Sequence, residues 1–264
     1  MKKQKVVNDM YFCVDIGNSN IVVGLFDNND QKTSDYRLST KRNMTIDEFG
    51  IMFLSILNFK GIKGDDIEGA IISSVVPEID NTLREAFKKY LNIDPLFVGQ
   101  GIKSGINIKL DNPKQLGADL LVGAVGATSK YHEPVLIIDI GTAMTMTYVN
   151  EKKEFMGGAI MPGIHTAFSN LIDKASKLED VSYEDVSNVV GHNTKDCIQS
   201  GMIFGWCSMI DGMIDRYKEE LGEFEVVLTG GEARHLVKHL KHKVIYDDDL
   251  LMEGLKTLYI KNKR

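Results

Sequence analysis

YFCVDIGNSNIVVGLF, residues 11–26, and VLIIDIGTAMTMTYV, residues 135–149, follow one pattern. Each runs apolar residues into Asp-Ile-Gly, then small polar residues, then a second apolar run. β-Branched residues on both sides of a glycine turn read as strand, turn, strand. The interval from Asp15 to Asp139 is far longer than a solenoid repeat and fits two half-chains of similar fold.

The flanking sequence repeats as well. In the first half, strands over residues 11–16 and 21–26 lead through a turn at Asn28, Asn29 and Asp30 to a third strand over 32–38. A capping box at Thr45 and Glu48 opens a helix over 49–57. A buried strand over 69–76 stops at Pro77, Asp80 caps a helix over 81–91, and 95–98 is a short strand. In the second half, strands over 135–140, 144–149 and 155–161 precede a helix starting within 163–166. A long helix over 195–221, a strand over 225–229, a turn at Gly230 and Gly231, and helices over 232–240 and 250–260 follow. The intervening helix, 113–131, enters on Pro113. The expectation is an α/β fold of two domains, 1–112 and 113–264, packed with a cleft between them.

The chain has 264 residues, 43% hydrophobic and 26% charged, enough to bury a full core. A net charge of −6 argues against a nucleic-acid surface held by phosphate contacts, and against a polybasic membrane anchor. No apolar run approaches the roughly 18 residues of a membrane span. Asn8, Asp9 and Asp15 interrupt any signal-peptide core. Cys13, Cys197 and Cys207 lack metal-ligand spacing and are expected as buried thiols in a reducing cytosol.

A strand turning on Asp-x-Gly sets a carboxylate beside exposed main chain. Gly17 and Gly141 lack a Cβ, so phosphate oxygens can approach the amides. Ser19, Thr142 and Thr145 add hydroxyls, while Asp15 and Asp139 suit hard cations. One such turn alone is most simply a hairpin bend. Two in matching places point to a polyphosphate gripped from both halves. Neither G-x-x-x-x-G-K-[ST] nor a G-x-G-x-x-G after a strand is present. His235, His239 and His242 have helical spacing, but the interleaved Lys238, Lys241 and Lys243 favour a solvated basic face over a metal site. Asp247, Asp248 and Asp249 read as a turn capping the last helix.

The pairing of DIGNSN with DIGTAMT resembles the actin-like superfamily of ATPases and sugar kinases. SSVVP (73–77), NPKQLGADL (112–120), GGAIMPGI (157–164) and GHNTKDCIQSGMIFG (191–205) narrow this. In order and spacing they are similar to type III pantothenate kinases, the Bvg accessory factor family, over nearly the whole chain. The resemblance implies duplicated actin-like (ribonuclease H-like) domains and a cytoplasmic homodimer whose dimerising helices lie in the C-terminal half. It also implies ATP-dependent phosphorylation of pantothenate, the first step of coenzyme A synthesis. Asp15, Ile16, Gly17, Asn18, Ser19, Asn20, Ile21 and Val22 would form the first ATP loop, with Asp15 acting through Mg-ATP. Thr142, Gly230 and Gly231 would contact ATP too, and Asp139 would bind a monovalent cation, potassium or ammonium. Asp119 would be the catalytic base, within a substrate site of Leu110, Gly117, Ala118, Asp119, Leu120 and Thr194.

The acceptor half departs from the family pattern. Gly-x-Asp-Arg ends here in Leu120, a tyrosine before Asp-Asn-Pro is Leu110, and Thr-Ala-x-Leu-Pro appears as residues 175–179, ASKLE. An arginine would clamp the substrate carboxylate through charged hydrogen bonds of about 1.5–3 kcal/mol each. Three readings stay open: other residues hold the acceptor, the acceptor is a different small molecule, or the chain is a catalytically weak, nucleotide-binding regulator.

Overall fold

A computed structural model describes residues 10–175 and 186–263. Of these, residues up to Gly105, with Lys114–Ser129 and those from Leu251 onward, form one compact unit, while Ile106–Pro113 and Lys130–Leu250 form a second. The units are therefore not contiguous halves. Residues 114–129 and 251 onward, placed in the C-terminal domain by chain order, cluster with the first unit.

In the first unit, β1 (Met10–Ile16), β2 (Asn20–Phe26) and β3 (Lys32–Ser39) form an antiparallel meander. Helix α1 (Ile46–Phe59) begins at the expected capping box: Thr45 Oγ1 accepts from Glu48 N at 3.3 Å, and Thr45 N donates to Glu48 Oε2 at 2.7 Å. Strand β4 (Ile67–Ser74) pairs parallel with β1. Helix α2 (Pro77–Leu91) starts on Pro77 as its first residue, so Asp80 lies inside the first turn and is not its cap. Strand β5 (Leu96–Phe97) completes the sheet, in order β3-β2-β1-β4-β5.

The second unit repeats this plan with one strand added. β6 (Asn107–Ile108) lies at its edge. The expected helix over 113–131 is interrupted: Pro113–Gln115 is a 3-10 turn, and α3 (Ala118–Lys130), mostly in the first unit, starts after Gly117. β7 (Val135–Ile140), β8 (Ala143–Val149) and β9 (Glu154–Pro162) form the second meander. Helix α4 (Ile164–Lys174) follows Gly163. The expected helix over 195–221 is α5 (Thr194–Ser200), a π-helical turn (Gly201–Gly205) and α6 (Trp206–Leu221). β10 (Glu225–Thr229) pairs parallel with β7. Helix α7 (Ala233–Leu236) passes into a 3-10 turn at Val237–His239, then come β11 (Ile245–Tyr246) and α8 (Leu250–Asn262). The sheet order β11-β10-β7-β8-β9-β6 mirrors the first sheet, with β6 added.

Strand alternation decides which face each aspartate occupies. Phe12, Val14 and Ile16 pack into the core beneath α1 and α2. Tyr11, Cys13 and Asp15 point to the other face, where Tyr11 stacks on Tyr259 of α8 at 4.2 Å between ring centroids. A Cβ at Gly254 of α8 would stand 2.1 Å from Val122 O, so this glycine lets α8 seat directly against α3. In the second unit Leu136, Ile138 and Ile140 enter the core with α6 and α7, leaving Asp139 on the opposite face.

Removing the α1 cap tests the local folding of the first unit. Thr45→Ala should cost about 1 kcal/mol of unfolding free energy. Urea denaturation should show a lower midpoint with an unchanged slope.

Candidate active site

Both Asp-x-Gly turns end the central strand of their sheet. At the first, Ile16 pairs with Ile21, and Gly17 N donates to Asn20 O at 2.9 Å. At the second, Ile140 pairs with Met144, and Gly141 N donates to Ala143 O at 3.0 Å. The second turn is thus one residue shorter.

Each turn is braced by the chain leaving the third strand of its meander. Beyond β3, Thr40 Oγ1 donates to Gly17 O at 2.7 Å and Thr40 N to Ser19 O at 3.0 Å. Arg42 holds Asn18 Oδ1 at 3.0 Å and Glu78 Oε1 at 3.1 Å. Beyond β9, Gly163 N and Thr166 Oγ1 donate to Thr142 O at 3.0 and 2.7 Å. A Cβ at Gly163 would stand 1.9 Å from Gly141 O, which explains the glycine. These bonds commit turn carbonyls to the scaffold, so fewer negative dipole ends face an anion at either turn. Thr40 and Arg42 escaped the sequence reading because their role depends on strand pairing. Gly163 lies in the GGAIMPGI motif, whose spacing gives no hint of the contact.

Asp15 and Asp119 come together within the first unit. Asp15 is pushed up from 3.8 to about 6, first by burial, and further by the charge of Asp119; Ser73 and Arg37 pull it down. Ser73 faces Asp15 across the β1–β4 pairing. Its fully buried hydroxyl has no partner of good hydrogen-bond geometry, yet it lies near enough to act on the carboxylate. Asp119 occupies the first turn of α3, where Leu120 N donates to its Oδ1 at 2.8 Å. Burial pushes Asp119 above the usual carboxylate range, and the amides of Leu120 and Asp119 oppose this. A Cβ at Gly117 would stand 2.4 Å from Asp119 Oδ1, so the glycine makes room for that carboxylate. Ala118 and Leu120 are partly buried beside it.

The second unit gathers Asp139, Thr142, Gly230 and Gly231. Thr229 pairs with Asp139 across β10 and β7. Gly230 follows with φ +96°, and a Cβ there would stand 2.5 Å from Asp139 Oδ1 and from Ile140 N and O. Glu232 N donates to Ile140 O at 3.2 Å, closing this turn over the end of β7. Leu110 lies beside Gly157, and Thr194 is exposed as the first residue of α5.

Other expectations change. The histidines do not share a helix face: α7 ends at Leu236, His239 packs edge-on to Phe204, and His242 Nε2 lies 2.7 Å from Asp215 Oδ1. Among the described residues no three His, Cys, Asp or Glu side chains cluster as a metal site. Cys13 and Cys207 are buried as expected, but Cys197 is exposed. Asp247 does form the expected turn, accepting from Asp249 N at 3.1 Å, and it also binds Lys130 and Tyr131 at 2.6 and 2.7 Å. Residues 176–179 of the altered ASKLE stretch lie outside the described residues.

A family profile described as type III pantothenate kinase matches residues 11–216. A type III pantothenate kinase of Exiguobacterium sp. is 38% identical over 255 residues, covering 97% of this chain and 100% of that protein. Among solved structures, a Campylobacter jejuni protein described as a Baf family transcriptional activator aligns at TM-score 0.59 and 18% identity, covering 95% of this chain and 98% of its own. Component A of the Acidaminococcus fermentans (R)-2-hydroxyglutaryl-CoA dehydratase aligns at TM-score 0.55 and 12% identity, covering 95% and 97%. These two likenesses carry the fold, an actin-like one.

The raised pKa of Asp15 makes a signed prediction for protein free of metal and nucleotide. Folding favours its protonated form, a contribution present below pH 3.8 and lost as the pH rises through about 6. Asp15→Asn should therefore be the more stable protein at pH 8, by on the order of 1–3 kcal/mol. The gap should close below pH 4. Urea titrations at pH 4, 6 and 8 check this, and a constant gap across that range would contradict it.

Proposed function

The chain belongs to the type III pantothenate kinase family, and on that premise we propose that it transfers the γ-phosphoryl group of ATP to the hydroxyl of pantothenate. The products are 4'-phosphopantothenate and ADP, in the first step of coenzyme A synthesis. The observation that carries this reading is Asp119, a partly buried carboxylate of raised pKa at the start of α3, beside Asp15 under the first turn.

Phosphoryl transfer depends on alignment and charge neutralisation more than on covalent help from the protein. Asp119 orients the acceptor hydroxyl and takes its proton as the new P–O bond forms. Burial suits it to this, because a carboxylate held above its ordinary pKa is a stronger base. Residues 15–22 grip the polyphosphate through the first turn. Thr142, Gly230 and Gly231 are assigned to ATP contacts as well, Gly230 and Gly231 to its nucleoside. Thr194 contacts the acceptor, with Leu110, Gly117, Ala118 and Leu120 lining its site.

Two cations complete the proposal. Asp15, partly buried with Asp119 close by, would serve Mg2+ on ATP, which would supply positive charge there while Asp119 stays free to act as base. Asp139, in the space that the missing Cβ of Gly230 leaves open, would hold a potassium or ammonium ion. Bound there, the ion would supply positive charge to the nucleotide site.

We place the enzyme in the cytoplasm as a homodimer, with dimerising helices in the C-terminal part of the chain. Three cysteines without a disulfide suit a reducing compartment. Exposed Met156, Ile160 and Leu171 in the second unit suit a covered face. No helix among the described residues is long and apolar enough to cross a membrane.

Leu120 and Leu110 favour one further reading, a relative that binds nucleotide but turns over slowly. Coupled ADP release with and without pantothenate, in potassium, ammonium and sodium, separates the two. Pantothenate-dependent turnover greatest in potassium or ammonium is expected. ATP binding without turnover would establish the regulator. Asp119→Asn should reduce kcat by on the order of 100-fold or more while ATP affinity holds. Leu120→Arg should lower KM for pantothenate by roughly ten- to a hundredfold with little change in kcat, because a clamp holds ground and transition states alike. If the wild type binds pantothenate tightly and Leu120→Arg abolishes that binding, the acceptor pocket has been rebuilt around leucine.

A further inference from the structure

Ser73, Asp15, Val22 and Arg37 are successive partners across β4, β1, β2 and β3. Directly paired residues project to the same face of a sheet. The four therefore form a row on the face opposite the Phe12, Val14 and Ile16 core. Only Val22, short and uncharged, separates Asp15 from Arg37 in this row. Two strand spacings amount to about 10 Å, a gap that an extended arginine and a bound phosphate can share.

The charges around the first turn are lopsided. Asp15 and Asp119 bring two carboxylates to the place where a polyphosphate would add more negative charge. Arg42 touches the turn, but Glu78 and Asn18 already hold its guanidinium. Arg37 is exposed, and among the described residues no carboxylate is in ion-pair contact with it.

We propose that Arg37 is a phosphate-contacting residue of the first turn, its guanidinium crossing Val22 to the terminal phosphate oxygens of bound ATP. The proposal rests on the reading of residues 15–22 as an ATP phosphate loop. Arginine offers a planar fork of donors matched to phosphate oxygens, which a solvated surface charge would not need. Val22 leaves the path across β2 open and places no competing charge in it. Placement on β3 also ties the residue to the turn, because Thr40, directly after that strand, donates to Gly17 O and Ser19 O. The other role for an exposed arginine on an edge strand is to discourage pairing with further strands. That role predicts no dependence on nucleotide.

The test compares Arg37→Gln, Arg37→Lys and Asp15→Asn in the full chain, titrated with Mg-ATP and with Mg-ADP. Calorimetric binding gives an answer whether or not the enzyme turns over. Arg37→Gln should weaken ATP by on the order of 10- to 100-fold, weaken ADP distinctly less, and leave the thermal midpoint unchanged. Arg37→Lys should recover part of the loss. If Asp15→Asn weakens ATP while Arg37→Gln binds both nucleotides as the wild type does, Arg37 is an edge-strand charge and the proposal is overturned. Equal losses for ATP and ADP also overturn it, since a contact to the terminal phosphate must discriminate them. If Asp15→Asn leaves ATP affinity unchanged, the assignment of the first turn fails, and the proposal with it.

Discussion

Asp15 and Asp119 are two carboxylates held close together in partial burial, and much of the first unit is arranged around that unfavourable pair. Burial disfavours each charge, and proximity disfavours having both. The repulsion falls on Asp15, which reaches about 6. Among the described residues no lysine or arginine makes an ion-pair contact with either carboxylate. Ser73 and Arg37 relieve Asp15 in part, while the amides at the start of α3 relieve Asp119. Such an arrangement has little structural value, since an apolar pair would fold more stably. It becomes useful when a ligand brings positive charge or removes a proton. For that reason the pair, more than the glycine turns alone, marks this place as a site of chemistry.

The second unit solves a related problem by close approach of main chain. A Cβ at Gly230 or Gly163 would clash with the end of β7 or with the turn that follows it. Two loops therefore converge on one Asp-x-Gly turn, with backbone where side chains would otherwise stand. The first turn is instead held by side chains, through Thr40 and Arg42. A duplicated sheet has thus been fitted out differently in its two copies: carboxylates and arginines around the first turn, backbone packing around the second.

The duplication was legible because both meanders bear strong apolar runs around an identical Asp-Ile-Gly. The sheet orders repeat as those runs imply. Strands β5, β6 and β11 have two residues each, too short to carry a period, and two of them were missed. The helix expected over 113–131 is a 3-10 turn followed by α3, which starts after Gly117, whose carbonyl accepts from Leu121 N at 3.2 Å. The helix expected over 195–221 passes through a π turn bounded by Gly201 and Gly205. Apolar periodicity runs through that turn and hides it, although such turns often accompany function. Asp80 had the composition of a cap, but Pro77 already supplied a better first residue. Among the candidate site residues, Asp15, Asp139 and Gly230 stood in readable motifs. Asp119 was legible only through family resemblance, since alone it is an ordinary residue of a first helical turn. Arg37 and Thr40 were not legible, because only strand register places them.

The leucine at 120 has two consequences that pull apart. In the family pattern an arginine follows the catalytic aspartate, and its guanidinium would serve the acceptor's carboxylate. A cation one residue from Asp119 would also lower the pKa of that carboxyl. With Leu120 in place, only two backbone amides oppose the effect of burial, and Asp119 stays above its ordinary range. On the proposed roles, leucine here would weaken the grip on an acidic acceptor while leaving Asp119 the stronger base toward a hydroxyl. A chain drifting out of use would have no reason to keep Gly117 open for that carboxylate. Here the glycine, the aspartate and its amide donor are all in place, and the departures from the family pattern, Leu120, Leu110 and residues 175–179, fall on the acceptor side. The divergence bears on which acceptor is held, and how tightly, more than on the capacity to transfer a phosphoryl group.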